Sequence, residues 1–156
     1  MRVTSWPSSA RSLPLTTSAT MAVSENHIAL VREMANWVAA HHFAGDAGAI
    51  LLDDPESPAS SKPPALCGYV PDLYAPLLDT DAIVVGEAKT ARDVESHHTY
   101  EQLRAFLGAC ASRRGSVVVV AVPWHMARCA ANMVRILKSR TGLAQVSTVV
   151  LDQLEG

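Results

Sequence analysis

The stretch YVPDLYAPLLDTDAIVVGEAK, Tyr69 to Lys89, holds two apolar runs broken by turn-forming residues. Leu66 to Leu77 and Asp81 to Lys89 read as two extended segments, with Leu78, Asp79 and Thr80 as the turn of a hairpin. A turn centred between Asp79 and Thr80 pairs residues whose numbers sum to 159, which sets Asp72 directly opposite Glu87. Cross-strand partners bring their Cβ atoms to about 4.5–5.5 Å, and like charges there repel unless something positive lies between them. A divalent cation is the natural candidate. Lys89 follows Glu87 by two residues, and the alternation of a strand puts both side chains on one face, roughly 7 Å apart. Two carboxylates and an ammonium group should therefore converge.

Hard cations such as Mg²⁺ or Mn²⁺ take a few carboxylate oxygens, keep several waters and work on phosphate substrates. The expected chemistry is metal-assisted phosphodiester hydrolysis, with Asp72 and Glu87 as metal ligands and the backbone carbonyl of Ala88 completing the shell. Lys89 would orient the attacking water or stabilise charge on the phosphorane.

Outward from the hairpin, residues 1–22 are rich in Ser, Thr and Pro and carry no acid, which reads as a flexible tail before one domain over 23–156. An organelle transit peptide, or a true start near Met21, would look the same. Ser24 is a plausible N-cap, and Ile28, Val31, Ala35, Val38 and Ala39 recur at helical spacing, predicting a helix over 24–42. Ala49 to Leu52 reads as a short strand, and Pro55 to Pro64, with four prolines, as a surface loop. Leu103, Phe106, Leu107 and Cys110 form the apolar stripe of a helix from Ser96 to about Arg114. Ser116 to Val122 is a strand covered on both faces. Pro123 opens a helix to about Arg140 with Gly142 at its end, and Gln145 to Asp152 is a last strand. The order αβββαβαβ implies an α/β fold with a mixed sheet flanked by helices.

Pro71-Asp72 followed, after fourteen residues, by Glu87-Ala88-Lys89 resembles the PD-(D/E)xK nuclease superfamily, whose core is a helix, three strands, a helix and a strand. The resemblance covers roughly residues 24 to 122, with the last helix and strand as additions to a restriction-endonuclease-like core. It implies a Mg²⁺- or Mn²⁺-dependent nuclease acting on nucleic acid, DNA ahead of RNA, and a homodimer if both strands are cut. Family members often carry an acid in the first helix, the place of Glu33, and a Gln in the helix after the motif lysine, the place of Gln102. Small Holliday-junction resolvases and restriction-type nucleases share this general shape, but this chain lacks the strongly basic N-terminal segment of the resolvases.

Each assignment has a plainer counterpart. Glu33 lies at the border of the apolar arc of its helix and reads equally as a solvated side chain. Thr99-x-x-Gln102 also fits a capping box. His97 and His98 are adjacent, point apart and read as solvent-exposed. Arg128, Asn132, Arg135 and Ser139, with Lys138 nearby, make a polar stripe on the last helix that could track a nucleic-acid backbone or simply be its wet face. The alternative to an enzyme is a catalytically inactive nuclease-fold module that binds or scaffolds within a larger assembly.

Composition bounds these readings. At 156 residues, 49% hydrophobic and 18% charged, the chain has material for a packed core, and its content excludes global disorder or collagen. No apolar run approaches the roughly 18 residues of a membrane-spanning helix, so no membrane partner is expected. Cys67, Cys110 and Cys129 fall in no C-x-x-C spacing, which points away from a disulfide framework and towards a reducing, cytoplasmic setting. The net charge of −2 conceals an acidic stretch over 21–100 and a basic one over 101–156, compatible with a carboxylate cluster beside a phosphate-binding surface.

Overall fold

In the computed structural model, which describes residues 12–56, 58 and 61–154, one five-stranded mixed sheet carries helices on both faces. In chain order the elements are α1 (Ser12–His42), β1 (Leu51–Leu52), β2 (Leu73–Pro76), β3 (Ile83–Ala88), α2 (His97–Ala111), β4 (Val117–Pro123), a 3₁₀ turn (Trp124–Met126), α3 (Ala127–Thr141) and β5 (Ser147–Leu154). The strands lie side by side in sequence order. The β1–β2 and β2–β3 pairs are antiparallel, and β3–β4 and β4–β5 are parallel. This is the α/β order expected from the sequence.

The hairpin register is the one deduced. Leu73 faces Gly86, Tyr74 faces Val85, Ala75 faces Val84 and Pro76 faces Ile83, so each pair of numbers has the expected sum. Asp79 adopts φ 63° at the tip, a left-handed conformation that Asp tolerates, and the Leu77 N–H closes the turn on the Ala82 carbonyl at 2.9 Å.

Alternation divides the core. Ile83, Val85, Val118, Val120 and Val122 pack against Leu103, Phe106 and Leu107 of α2 and Val134 and Leu137 of α3. Val84, Ala88, Val119 and Ala121 face the other way, onto Leu30, Val31, Met34 and Val38 of α1. All six residues of β3 are buried, as a central strand covered on both faces requires.

Several boundaries differ from those expected. The helix placed over 24–42 begins at Ser12; Pro14 falls in its first turn, where backbone N–H groups need no intrahelical partner. The tail reading over residues 1–11 lies outside the described residues. The extended segment placed from Leu66 starts as a strand only at Leu73, because Cys67 (φ 51°) and Gly68 (φ 88°) turn the chain between bridged Leu66 and Tyr69. Two successive positive φ values are the signature of a tight turn. Pro123 ends β4 rather than opening α3, and the 3₁₀ turn intervenes. Gly142, at φ 70°, caps α3 as expected. Among the described residues, no helix is long and apolar enough to cross a membrane.

Candidate active site

β3 sits between an antiparallel and a parallel neighbour, and that decides how its C-terminal end is used. The Lys89 N–H donates to the Ala121 carbonyl of β4 at 2.9 Å, so the backbone groups of Glu87, two residues earlier, also face β4. Those of Ala88 face β2. Asp72 turns its carbonyl the other way, accepting from the Asp53 N–H at 2.9 Å. Extending the β2–β3 register by one residue beyond its last ladder pair, Leu73–Gly86, sets Asp72 opposite Glu87 as a narrow, non-hydrogen-bonded pair would be, the arrangement in which opposed side chains approach most closely. Pro71 lies where β2 would continue, and the Ala88 N–H instead finds Asp72 Oδ2 at 2.8 Å.

Both carboxylates are buried, Asp72 at 7% and Glu87 at 3% exposure. Lys89 Nζ donates to Glu87 Oε1 at 3.0 Å and to Gln102 Oε1 on α2 at 2.6 Å. The Asp72 N–H reaches Glu87 Oε2 at 3.3 Å. On the other side, His27 Nε2 on α1 lies 3.2 Å from Asp72 Oδ2. Burial, and then the neighbouring Asp72 charge, push the Glu87 carboxyl up to about 7 against the pull of Lys89. The hydrogen bond to Asp72 raises the His27 imidazole, with burial opposing it.

The structure thus brings together Asp72, Glu87, Lys89 and Gln102 from the sequence reading. Gln102 is not a capping residue: Ser96 is the N-cap of α2 and takes the Thr99 N–H at 3.1 Å, which leaves Gln102 free to meet Lys89. Glu33 is not brought in. It is exposed, and at 100° per residue it lies about 120° around α1 from His27. His27 occupies the place the sequence reading gave to Glu33. Its signal was its spacing: His27, Val31, Met34 and Val38 recur at i, i+4, i+7 and i+11, so His27 extends the buried stripe by one turn. His97 and His98 are exposed, as expected.

Among the described residues, no three His, Cys, Asp or Glu side chains group as a metal site. The donors present suit a cation that keeps much of its water. Asp72 Oδ2 accepts two hydrogen bonds, whereas Oδ1 has no partner among the described residues. Among the described residues no buried side-chain oxygen lacks a partner, so Oδ1 is not sealed from solvent. One or two carboxylates of this kind are what Mg²⁺ takes from a protein. The Ala88 carbonyl, on the same strand edge as its N–H, could add a third oxygen.

The basic stripe spans both ends of the sheet. Arg128 stands in the first turn of α3, at the end where β3 delivers Glu87 and Lys89. Arg135 donates to Asn132 Oδ1 at 2.7 Å and Lys138 to Thr148 Oγ1 at 3.3 Å. The latter two line an open groove of about 810 Å³ between α3 and β5. Trp124, 66% exposed, follows β4 at the end shared with Arg128.

The chain matches no family model, no curated protein and no solved structure among those with which it was compared.

Proposed function

We infer that the chain is a divalent-cation-dependent nuclease of PD-(D/E)xK type with a restriction-endonuclease-like core, hydrolysing phosphodiester bonds in nucleic acid, DNA ahead of RNA. One observation carries this reading: two buried carboxylates lie one residue beyond the last β2–β3 pair, and the lysine two residues on is clamped between one of them and a glutamine from the next helix. A fold gains no stability from opposing two buried acids. Asp72 and Glu87 would hold Mg²⁺ or Mn²⁺, which when bound supplies a polarised phosphate and a more acidic water.

Lys89 then does the positioning. An ammonium group has three donors, and Glu87 and Gln102 take two. The third is left for the attacking water or a non-bridging phosphate oxygen, where charge grows only in the transition state. Gln102 fixes the lysine's direction, since without it a four-carbon side chain would sample several rotamers.

A second reading rests on a specific feature: His27 and Lys89 already place a partner on each carboxylate, as an inactive binding or scaffold module would need. Incubating plasmid and single-stranded DNA and RNA with the protein, with Mg²⁺, Mn²⁺ or a chelator, separates the two. Cation-dependent cleavage abolished by Lys89→Ala supports the nuclease. Cation binding without cleavage of any of these substrates would leave the scaffold as the better account.

A further inference from the structure

Among the described residues, three large apolar side chains stand exposed: Val70 at 43%, Leu78 at 74% and Trp124 at 66%. Scattered singly, such residues are ordinary on a protein surface. Leu78 belongs to the turn between β2 and β3, but the other two share the opposite end of the sheet with the buried acids. Val70 precedes Asp72 by two residues, and Trp124 directly follows β4. The β3–β4 register sets Ala88 beside Ala121, so Lys89 continues beside Val122 and Trp124 comes two residues further on. At about 3.3 Å per residue and 4.8 Å between strands, the Trp124 backbone is roughly 8 Å from that of Lys89. The indole packs in neither core. Its aromatic neighbour is the His125 ring, met edge-on at 5.7 Å and 78°, and at 66% exposure a face of the indole is left to solvent.

We propose that the nucleic acid this site takes is unpaired beside the scissile phosphate, with Trp124 stacking on the exposed base. This rests on the proposed function in taking a nucleic acid as substrate, and adds its form: a single strand, or a duplex carrying a single-stranded arm. The reason is access to a ring face. In an intact duplex each base is covered above and below by its neighbours, so a protein ring stacks only on a base that is unpaired or turned out of the helix. The spacing between Trp124 and Lys89 suits the base of a nucleotide whose phosphate lies at the carboxylate pair, or the base next to it. Arg128, in the first turn of α3, offers a cation to the adjoining phosphate. An aromatic platform beside a basic residue holds a single strand without reading its sequence. Val70 adds an apolar wall on the β2 side of the pair. Stacking also supplies affinity that needs few charges, in keeping with a net charge of −2.

The test is binding of labelled oligonucleotides to the full chain in chelator, followed by fluorescence anisotropy and read without reference to cleavage. A single strand should bind about tenfold or more tightly than a duplex of the same sequence. Trp124→Ala should weaken single-strand binding by about 5- to 100-fold, Trp124→Phe by less, and neither should change duplex binding. Thermal melts of both variants check that the exposed position leaves the fold intact. The discriminating measurement moves one abasic nucleotide along the strand. At one position the missing base should cost as much affinity as Trp124→Ala, and the two changes together should cost no more than either alone, because they remove the same contact. A residue with a merely structural role gives no such position. Equal binding of single strand and duplex, no loss in Trp124→Ala, or strictly additive losses at every abasic position overturns the proposal, and cation-dependent cleavage of duplex would then keep the nuclease reading. Failure to bind any nucleic acid overturns both. Coupling between Trp124 and one base, with no cleavage of any substrate when Mg²⁺ or Mn²⁺ is supplied, supports the stacking and removes the nuclease.

Discussion

Glu87 is 3% exposed, and its carboxyl is raised from 4.5 to about 7. A group whose folded-state pKa exceeds its unfolded value stabilises the fold fully only below the unfolded value, and that stability is lost as pH rises through the folded one. In the metal-free protein the Glu87 contribution should therefore fall away between about pH 4.5 and 7, by an amount on the order of 3 kcal/mol. His27, also raised, acts in the same direction at higher pH. Denaturant unfolding in chelator should show Glu87→Gln gaining on the wild type by about 1–3 kcal/mol as pH rises from about 5 to 8. A constant difference would mean that Lys89 already neutralises Glu87. Lys89 and Asp72 should separate differently. Lys89→Ala should lose cleavage by about 10²-fold or more while keeping cation affinity, because in the proposed nuclease the ammonium would act on the transition state. Asp72→Ala should lose both, measured by calorimetry and a gel assay. Asp72, Glu87 and Lys89 were legible because a hairpin turns sequence distance into spatial distance by simple arithmetic. His27 was not, since no local rule says which turn of a helix will meet a strand 45 residues later.

Between elements, the seating of α1 on β3 depends on one missing side chain. A Cβ on Gly86 would stand 2.7 Å from Met34 Sδ and 3.0 Å from both Met34 Cε and Leu73 Cβ, distances that require something to move. Met34 is a fully buried contact of α1, with 0% exposure, and His27 lies two turns before it on the same stripe. Gly86→Ala should cost about 1–3 kcal/mol through overpacking. Combining it with Met34→Ala should cost less than the sum of the two single changes, because the cavity left by Met34 receives the new methyl group. Part of the strain should remain, since the Leu73 Cβ cannot rotate away. A thermal or denaturant double-mutant cycle measures this directly, and strict additivity would show that α1 does not press on Gly86. The sequence marked the core stripe of α1 and the run of β3, but not their distance. Periodicity identifies the face that is buried, while the closeness of approach depends on side chains meeting from two separate elements. Element ends were blurred for a related reason. Cys67 and Gly68 terminate an otherwise strand-like run through their backbone conformation, and for a cysteine composition gives no such warning.

Across the whole molecule, the parallel order of β3, β4 and β5 gives the sheet two unlike ends. Glu87 and Lys89 emerge at the C-terminal end of β3, where α2 begins with the turns that carry Gln102, and where Trp124 and Arg128 follow β4. Lys138 bonds to Thr148 near the start of β5, at the opposite end. From Arg128 to Lys138 a helix climbs about 15 Å at 1.5 Å per residue. The polar stripe, which looks uniform on a helical wheel, is therefore divided by the topology. If the proposed nucleic-acid substrate sits at the Asp72–Glu87 pair, Arg128 is at its end of the sheet and Lys138 at the other. Arg128→Ala should weaken DNA binding and lower the slope of log affinity against log salt by about one unit, the loss of a single phosphate contact. Lys138→Ala should leave both unchanged, although it removes a charge of the same sign from the same helix. Because the net charge is only −2 and the bases are few, binding should be modest and should collapse at high salt, so the titrations need a range of ionic strengths. Equal losses from the two substitutions would place the nucleic acid along the whole of α3, and a loss confined to Lys138 would move it to the groove beside β5.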